Sequence, residues 1–538
     1  MKTLMTVLLT GTALAGATPV LAQEVTPGLK RFATVPLGAE FTGLYITDAG
    51  DLFYNAQHPA DSNAEPNNLA AVGVLTGVDM TNLPTDFESV KVPETDEEKQ
   101  GFLTAVGTYQ PLFREGDFAD TVAGGVGALM AADGSKIKQS NDPDFNAFIP
   151  TNDGSTEGYI FTNWEDRPGG MSRIKLAKGD DGSWSVDNGD AMMVDFRPVN
   201  GTWINCFGSV SPWGTPLTSE ELYFDDTSQW NNASFEDYDD QVAVERYLGN
   251  YPNPYDYGYI VEIADPTGAA EPVKHFAMGR YSHENSVVMP DEKTVYLSDD
   301  GTGTVMFKFI ADTAGDLTAG TLYAAKATQD EGTDPATTGF DIEWIELAHG
   351  DNATIEGWIR EYDGITPDDY TDGQTNFVSD NDIAQWAHGQ GKDDRAAFLE
   401  TRKAAAAKGA TAEFRKMEGV MINHAGAADG SVPHMYMAMS EVGATMADAE
   451  GDIQLDENIC GVVYGFELAD DYDVTRMEPV IAGFGYNPDA AINQCDVGGI
   501  SNPDNLLVLN DGRVLIGEDT GLHENNMLWV YDPTASAS

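Results

Sequence analysis

The chain has 538 residues, 41% hydrophobic and 10% aromatic, enough apolar material for a large buried core and incompatible with a disordered chain. Its 88 acidic and 29 basic residues give a formal charge of −59, which repels nucleic-acid phosphates and anionic lipid and argues against both as partners. Most of the carboxylates read as a hydrated surface, and a minority as ligands gathered around multivalent cations.

At the N-terminus, Lys2 precedes an apolar run from Leu4 to Ala15, then Val20, Leu21 and Ala22 before a polar start at Gln23. This is the pattern of a cleaved secretory signal over residues 1–22. No later stretch approaches about 18 uninterrupted apolar residues, so no membrane span is expected. Residues 23–538 are expected to form one soluble domain, a monomer, in the bacterial periplasm or the medium.

Beyond the signal the chain reads as short β-runs between Gly, Asp, Asn and Pro, among them "EGYIFTNWED", "ELYFDD", "YGYIVEI", "TVYLSDD" and "VLIGEDT". Such runs indicate a sandwich, a barrel or a propeller. A hairpin of constant length then recurs: Glu40 and Asn55, Phe148 and Asn163, Cys206 and Glu221, Glu284 and Asp299, and Asp504 and Asp519 each lie fifteen positions apart. A longer copy runs from Glu418 to Glu441. These six copies, each followed by a further strand, predict an all-β fold, a six-bladed β-propeller with a short helical insertion.

The leading residues, four acids and Cys206, are expected to converge on one mouth of the central channel. A single acid at a strand end commonly caps a turn. Acids repeated around a ring repel one another unless cations lie between them. The insertion is expected at about 380–412, where "DDRAAFLETRKAAAAKG" opens on Asp393 and Asp394 and stops at Gly409, the signature of a surface helix. It is expected to pack on the channel rim or to fold over the mouth as a lid.

Three cysteines in an oxidising compartment leave one unpaired. Cys460 and Cys495 lie 35 residues apart in neighbouring strand-like segments and are expected to pair. Cys206 remains, either a small buried apolar group or a metal ligand. Carboxylate oxygens favour calcium or magnesium, whereas a thiolate favours iron or zinc, so a site with both donors suits a mixed cluster.

"NCFGSVSPWGTPLTSEE" resembles the Cys, Pro-Trp-Gly-Thr and Glu-Glu signature of the PhoX-type alkaline phosphatases. "TNWEDRPGGMSR", "GRYSHENSVV" with "VYLSDDGTGTVMFKF", "KGATAEFRKMEG" and "NPDNLLVLNDGRVLIGEDT" are similar, in order, to further segments of that family, over most of residues 145–530. The resemblance implies two irons and three calciums in the channel (cofactors Ca2+ and Fe3+) and hydrolysis of small-molecule phosphate esters. It implies Cys206 as an iron ligand and Glu221, beside Glu220, as the carboxylate after it, with Glu284 and Glu418 as further cluster ligands. Asp299, Asp300, Asp504 and Asp519 fall where calcium ligands are expected, and Lys416 and Glu418 are the expected catalytic residues.

The chain departs from the family's pattern in places. Arg-Pro-Glu is replaced by Lys416, Met417 and Glu418, a point charge for a bidentate fork. Ser219 replaces a common second cysteine, and the signal lacks twin arginines. "YNAQHP", residues 54–59, resembles a segment near the family's C-terminus, which implies a ring closed with shifted termini. Lys416 is expected to steady a phosphoryl oxygen with help from Arg173 or Arg280, whereas His283 and Trp213 read as structural. Two other classes fit the same acids: a calcium propeller hydrolysing lactones or phytate, which does not require Cys206, and a nonenzymatic calcium-bound propeller, to which Lys416 and Met417 point.

Overall fold

The computed structural model describes residues 26–535 except 222, 223, 225 and 236, and the expected signal, residues 1–22, lies outside the described residues. The described strands form six sheets of four or more strands, two of them joined edge to edge. Their innermost strands are Glu40–Ile46, Pro143–Pro150, Asn205–Val210, His283–Val288, Met417–Ile422 and Pro503–Val508. Each packs against the innermost strand of the next sheet and the last against the first, which closes a ring about a central channel. This is the six-bladed propeller expected from the repeat, with the second blade beginning at Pro143 rather than Phe148.

The innermost strands are buried almost throughout, because each has a neighbouring blade on both faces. The apolar cores lie between blades. Phe53, Phe148, Ile160 and Trp184 fill the space between the first two, and Val287, Tyr296, Val420 and Met437 that between the fourth and fifth. No blade buries its faces alone, so the ring must close for any blade to be stable. Closure is made by the strand Leu29–Thr34, which pairs antiparallel with Met527–Tyr531 and completes the sixth blade from the other end of the chain.

The insertion between the fourth and fifth blades is larger than 380–412, with helices Asn352–Arg360, Asp380–Ala387, Arg395–Leu399 and Thr401–Ala407. The Ala-rich segment is not one surface helix. It breaks at Glu400, whose carboxylate accepts hydrogen bonds from Thr227 and Tyr255, and Ala397, Phe398, Ala404 and Ala405 are buried. Small alanine side chains let the helix approach the propeller closely, so the segment packs on the channel rim, where the Thr401 hydroxyl accepts the Arg280 amide N–H.

Cys460 and Cys495 form a disulfide, and Cys206 is free and buried. No helix of the described residues is long and apolar enough to cross a membrane. A Cys460→Ser/Cys495→Ser double variant is expected to lose roughly 3–4 kcal/mol of stability, the loop-closure entropy of a 35-residue crosslink. Urea unfolding of the variant beside the parent measures this.

Candidate metal centre

All six inner hairpins share one irregularity, and in five of them it places a metal-type donor. Asn205 pairs with Glu220 but Gly208 with Thr218, so Cys206 and Phe207 on the inner strand face Ser219 alone. The same slip lies between His283 and Ser286, Met417 and Val420, Pro503 and Leu506, and Pro143 and Asn146. It is a β-bulge, a device that re-aims side chains next to functional sites. Here it falls at Cys206, Glu284, Glu418, Asp504 and Asp144, and all five line one channel cavity.

The first blade has the same bulge, between Thr42 and Tyr45, but the residue at the equivalent position is Gly43. A Cβ there would lie 2.3 Å from Asn55 Nδ2 and 2.6 Å from Asn146 Nδ2, and Gly43 has φ +63. The blade contributes Glu40 instead, from three residues earlier.

A second tier of donors comes from the residue just after each second strand. Glu165, Glu221, Asp300 and Asp519 occupy that position and line the same cavity, and Ser440 there donates to Glu418 Oε1 at 2.7 Å. The last residue of each of these five second strands points the opposite way, because successive side chains of a strand alternate in direction, whereas in the first blade the last residue, Gln57, lines the cavity itself. This corrects two sequence expectations.

Glu220 is fully buried behind the channel, 2.9 Å from Lys274 Nζ, and accepts the backbone N–H groups of Trp203, Gly258 and Tyr259. Asp299 is held by the Arg402 guanidinium and accepts the Val305 N–H. Neither lines the cavity. Glu518 occupies the equivalent place in the sixth blade, against His523 and the Trp529 indole N–H.

Nine carboxylates, Cys206, Gln57 and Lys416 surround a cavity of about 60 Å³. One water-sized sphere needs about 10–15 Å³, so the space suits a few ions and not an organic molecule. Among the described residues, three sets of donor atoms lie within 4.8 Å of one another: Asp144, Cys206 and Glu284; Glu165, Cys206 and Glu221; and Glu284, Glu418 and Asp504. Cys206 and Glu284 each belong to two sets, so the three form one connected cluster.

Burial and mutual repulsion push these acids towards the neutral form. Glu165 is raised to about 8, and Asp144 and Glu418 to about 7, each by burial first and by neighbouring charges second. Burial and the surrounding carboxylates also raise Glu40, Glu221, Glu284 and Asp504 well above the usual range. Burial, then Glu284, raises the Cys206 thiol, which donates to Glu284 Oε2 at 3.2 Å. Donors this close, with hard oxygens and one sulfur, fit multivalent cations.

Lys416 sits at the edge of the cavity, one third exposed, with Nζ 2.7 Å from Asp300 and 3.3 Å from Glu418. Burial opposes its charge, but Glu418, Asp300 and Glu221 outweigh that and drive its pKa far up. Arg173 and Arg280 do not reach the cavity. Arg173 donates to the Gly268 carbonyl, and Arg280 to those of Pro254, Tyr257 and Leu399.

His283 is structural, as expected. It stacks on Tyr281, bonds the Gly279 carbonyl and is kept neutral by burial, with a pKa of about 3. Trp213 ties its turn to Glu262.

Glu40, Gln57, Asp144 and Glu165 were absent from the expected ligand set. Glu40 leads the first hairpin of the repeat, and Glu165 lies within "TNWEDRPGGMSR". Asp144 was hidden by starting the second hairpin at Phe148, four residues late.

The family model of alkaline phosphatase PhoX matches residues 172–535, more than half of the chain. Among solved structures, Pseudomonas fluorescens PhoX in complex with vanadate, a transition state analogue, superposes with a TM-score of 0.51 at 18% identity, covering 76% of this chain and 82% of that one, which shows a shared fold. The iodide structure of a Trichoderma reesei carbohydrate-active enzyme of family AA12 is similar at 9% identity over 97% of this chain and 100% of that one, with a TM-score of 0.35. No curated protein matches the sequence.

The neighbouring Glu220 and Glu221, at the end of one strand and just beyond it, should therefore respond in opposite ways. Glu220→Gln, which leaves the buried Lys274 without its counter-charge, is expected to cost roughly 3 kcal/mol of stability and to leave bound metal unchanged. Glu221→Gln is expected to lower bound metal and to leave the metal-free protein as stable or more so. Urea unfolding with elemental analysis of both variants checks the pair.

Proposed function

The chain belongs to the alkaline phosphatase PhoX family, and we propose that it hydrolyses small-molecule phosphate monoesters at a cluster of calcium and iron held by the channel carboxylates and Cys206. The observation that carries this reading is the connected donor set around Cys206 and Glu284. Iron is assigned beside the thiol and calcium among the oxygens because sulfur favours the transition metal. Cys206, Glu165, Glu221, Asp144 and Glu284 would hold the sulfur side, and Glu418, Asp504, Asp519 and Asp300 the oxygen side. When bound, such a cluster supplies Lewis acidity towards the phosphoryl oxygens and an activated nucleophile.

The residues of the chain do the rest. The cavity volume admits ions and the phosphoryl oxygens they bind but keeps the organic part of the ester outside. A phosphate dianion would be repelled from nine carboxylates, so recognition depends on the cations they hold.

Lys416, the one ammonium among the described lining residues, is set to donate to a non-bridging oxygen at the cavity edge. It offers a single point charge, weaker in orienting phosphate than a guanidinium fork. Arg402 binds Asp299 and the Asp300 carbonyl and so fixes the strand end that carries Asp300. The Cys460–Cys495 disulfide supports export from the reducing cytoplasm.

Protein purified with both metals available is expected to contain iron as well as calcium and to hydrolyse p-nitrophenyl phosphate until chelated. Cys206→Ala is expected to remove the iron. Calcium alone, with no hydrolysis, would instead favour a binding propeller. Lys416→Ala is expected to raise KM about 10- to 100-fold, the worth of one charge-assisted hydrogen bond, with a smaller effect on kcat. Steady-state kinetics on the metal-loaded variant measure it.

A further inference from the structure

The channel has a second, wider chamber at its other mouth. The acids lie where the innermost strands begin, and the strands then run towards Ile46, Val210, Ile422 and Val508, whose ends and turns line a cavity of about 500 Å³. Between the two spaces lies a layer of buried amides. Asn146 donates to Asn55 Oδ1 and the Gly43 carbonyl, Asn505 Oδ1 accepts the Gly43 N–H, and Asn55 donates to the Pro143 carbonyl.

The chamber's chemistry differs from that of the metal end. Leu44, Phe145, Val210, Met421 and Leu507 supply apolar walls, and no lysine or arginine among the described residues lines it. Asp48 is the one acid among the described residues that line it. Two of its lining residues each hold a buried polar atom without a protein partner: the hydroxyl of Ser209, a residue 3% exposed, and Nδ1 of His424. Burial holds His424 neutral, with a pKa lowered to about 4.

A buried polar group without a partner costs roughly 1–3 kcal/mol, and groups left so in a concave, half-apolar cavity mark a ligand site. With no cation to receive an anion, the chamber does not suit a phosphate ester.

We propose that this chamber binds an uncharged, partly apolar small molecule bearing a hydroxyl, amine or amide group, with its apolar body against Phe145, Met421 and Leu507 and its polar group on Ser209 and His424. A volume of about 500 Å³ lies within the range of about 300–1,000 Å³ that such sites occupy. The site is separate from the metal centre and requires no cation.

Fluorescence titration of the full-length, metal-loaded protein with N-phenyl-1-naphthylamine, an uncharged apolar amine, tests this. One saturable site per chain is expected, displaced by 1-octanol and indifferent to inorganic phosphate. Asn510→Trp places a bulky side chain on the exposed rim and Met421→Trp fills the chamber, and each is expected to weaken binding at least about tenfold while hydrolysis of p-nitrophenyl phosphate persists.

Ser209→Ala is expected to weaken displacement by 1-octanol more than binding of the dye. The inference is overturned if no saturable signal is seen, if both tryptophan variants bind as the parent does, or if phosphate displaces the dye.

Discussion

Nine carboxylates held around about 60 Å³ with one ammonium among them is the constraint on which the rest of the structure depends. Two like charges 4 Å apart repel by about 4 kcal/mol at the effective dielectric of a protein, and a whole domain is stable by only about 5–15 kcal/mol. A ring of such charges is compatible with a folded chain only if protons or multivalent cations compensate it. Lys416 offsets one charge, and the raised pKa values of Glu165, Asp144 and Glu418 show what the acids do without further cations. On the proposed reading, metal binding and folding are linked, because the same carboxylates that hold the ions oppose the fold in their absence.

The propeller meets this constraint by sorting acids with a one-residue rule. At the end of three of the second strands, one acid faces outwards to a fixed cation or donor and the next faces the channel. Glu220 and Glu221 form such a pair, as do Asp299 and Asp300, and Glu518 and Asp519. The outward members stiffen the blade beneath the inward ones. On the inner strands, the bulge provides the matching turn of direction.

The disulfide acts at the same end. Asn502, whose N–H binds the Cys460 carbonyl, donates from its side chain to the Ser440 and Ile459 carbonyls and accepts the Asp519 N–H on its own carbonyl. The crosslink thereby joins the fifth and sixth blades where both present donors to the cavity.

A ring of strands has two mouths, and the amide layer across it lets them differ. At one end side chains crowd inwards and leave room only for ions. At the other the inner strands diverge into turns around the wider chamber. The proposed phosphoesterase needs only the first.

Periodicity made much of this legible in the sequence. A hairpin repeated around a ring can bury its faces only against copies of itself, so six copies implied six blades, and their leading residues implied a shared pocket containing Cys206, Glu284, Glu418 and Asp504. The strand alternation that separates Glu220 from Glu221 was also present, but a pair of adjacent acids does not say which one faces the axis.

That depended on the register of the ladder, which is set by hydrogen bonds between segments and by bulges that leave no mark in composition. The same cause hid Asp144 behind an assumed start at Phe148, put Gly43 in place of an acid in the first blade, and broke the Ala-rich helix at Glu400, where contacts from Thr227 and Tyr255 outweigh helix propensity. The sequence by itself determined the repeat and the donors. Only the tertiary structure decided which of them meet, because meeting depends on strand pairing and closure across the whole chain.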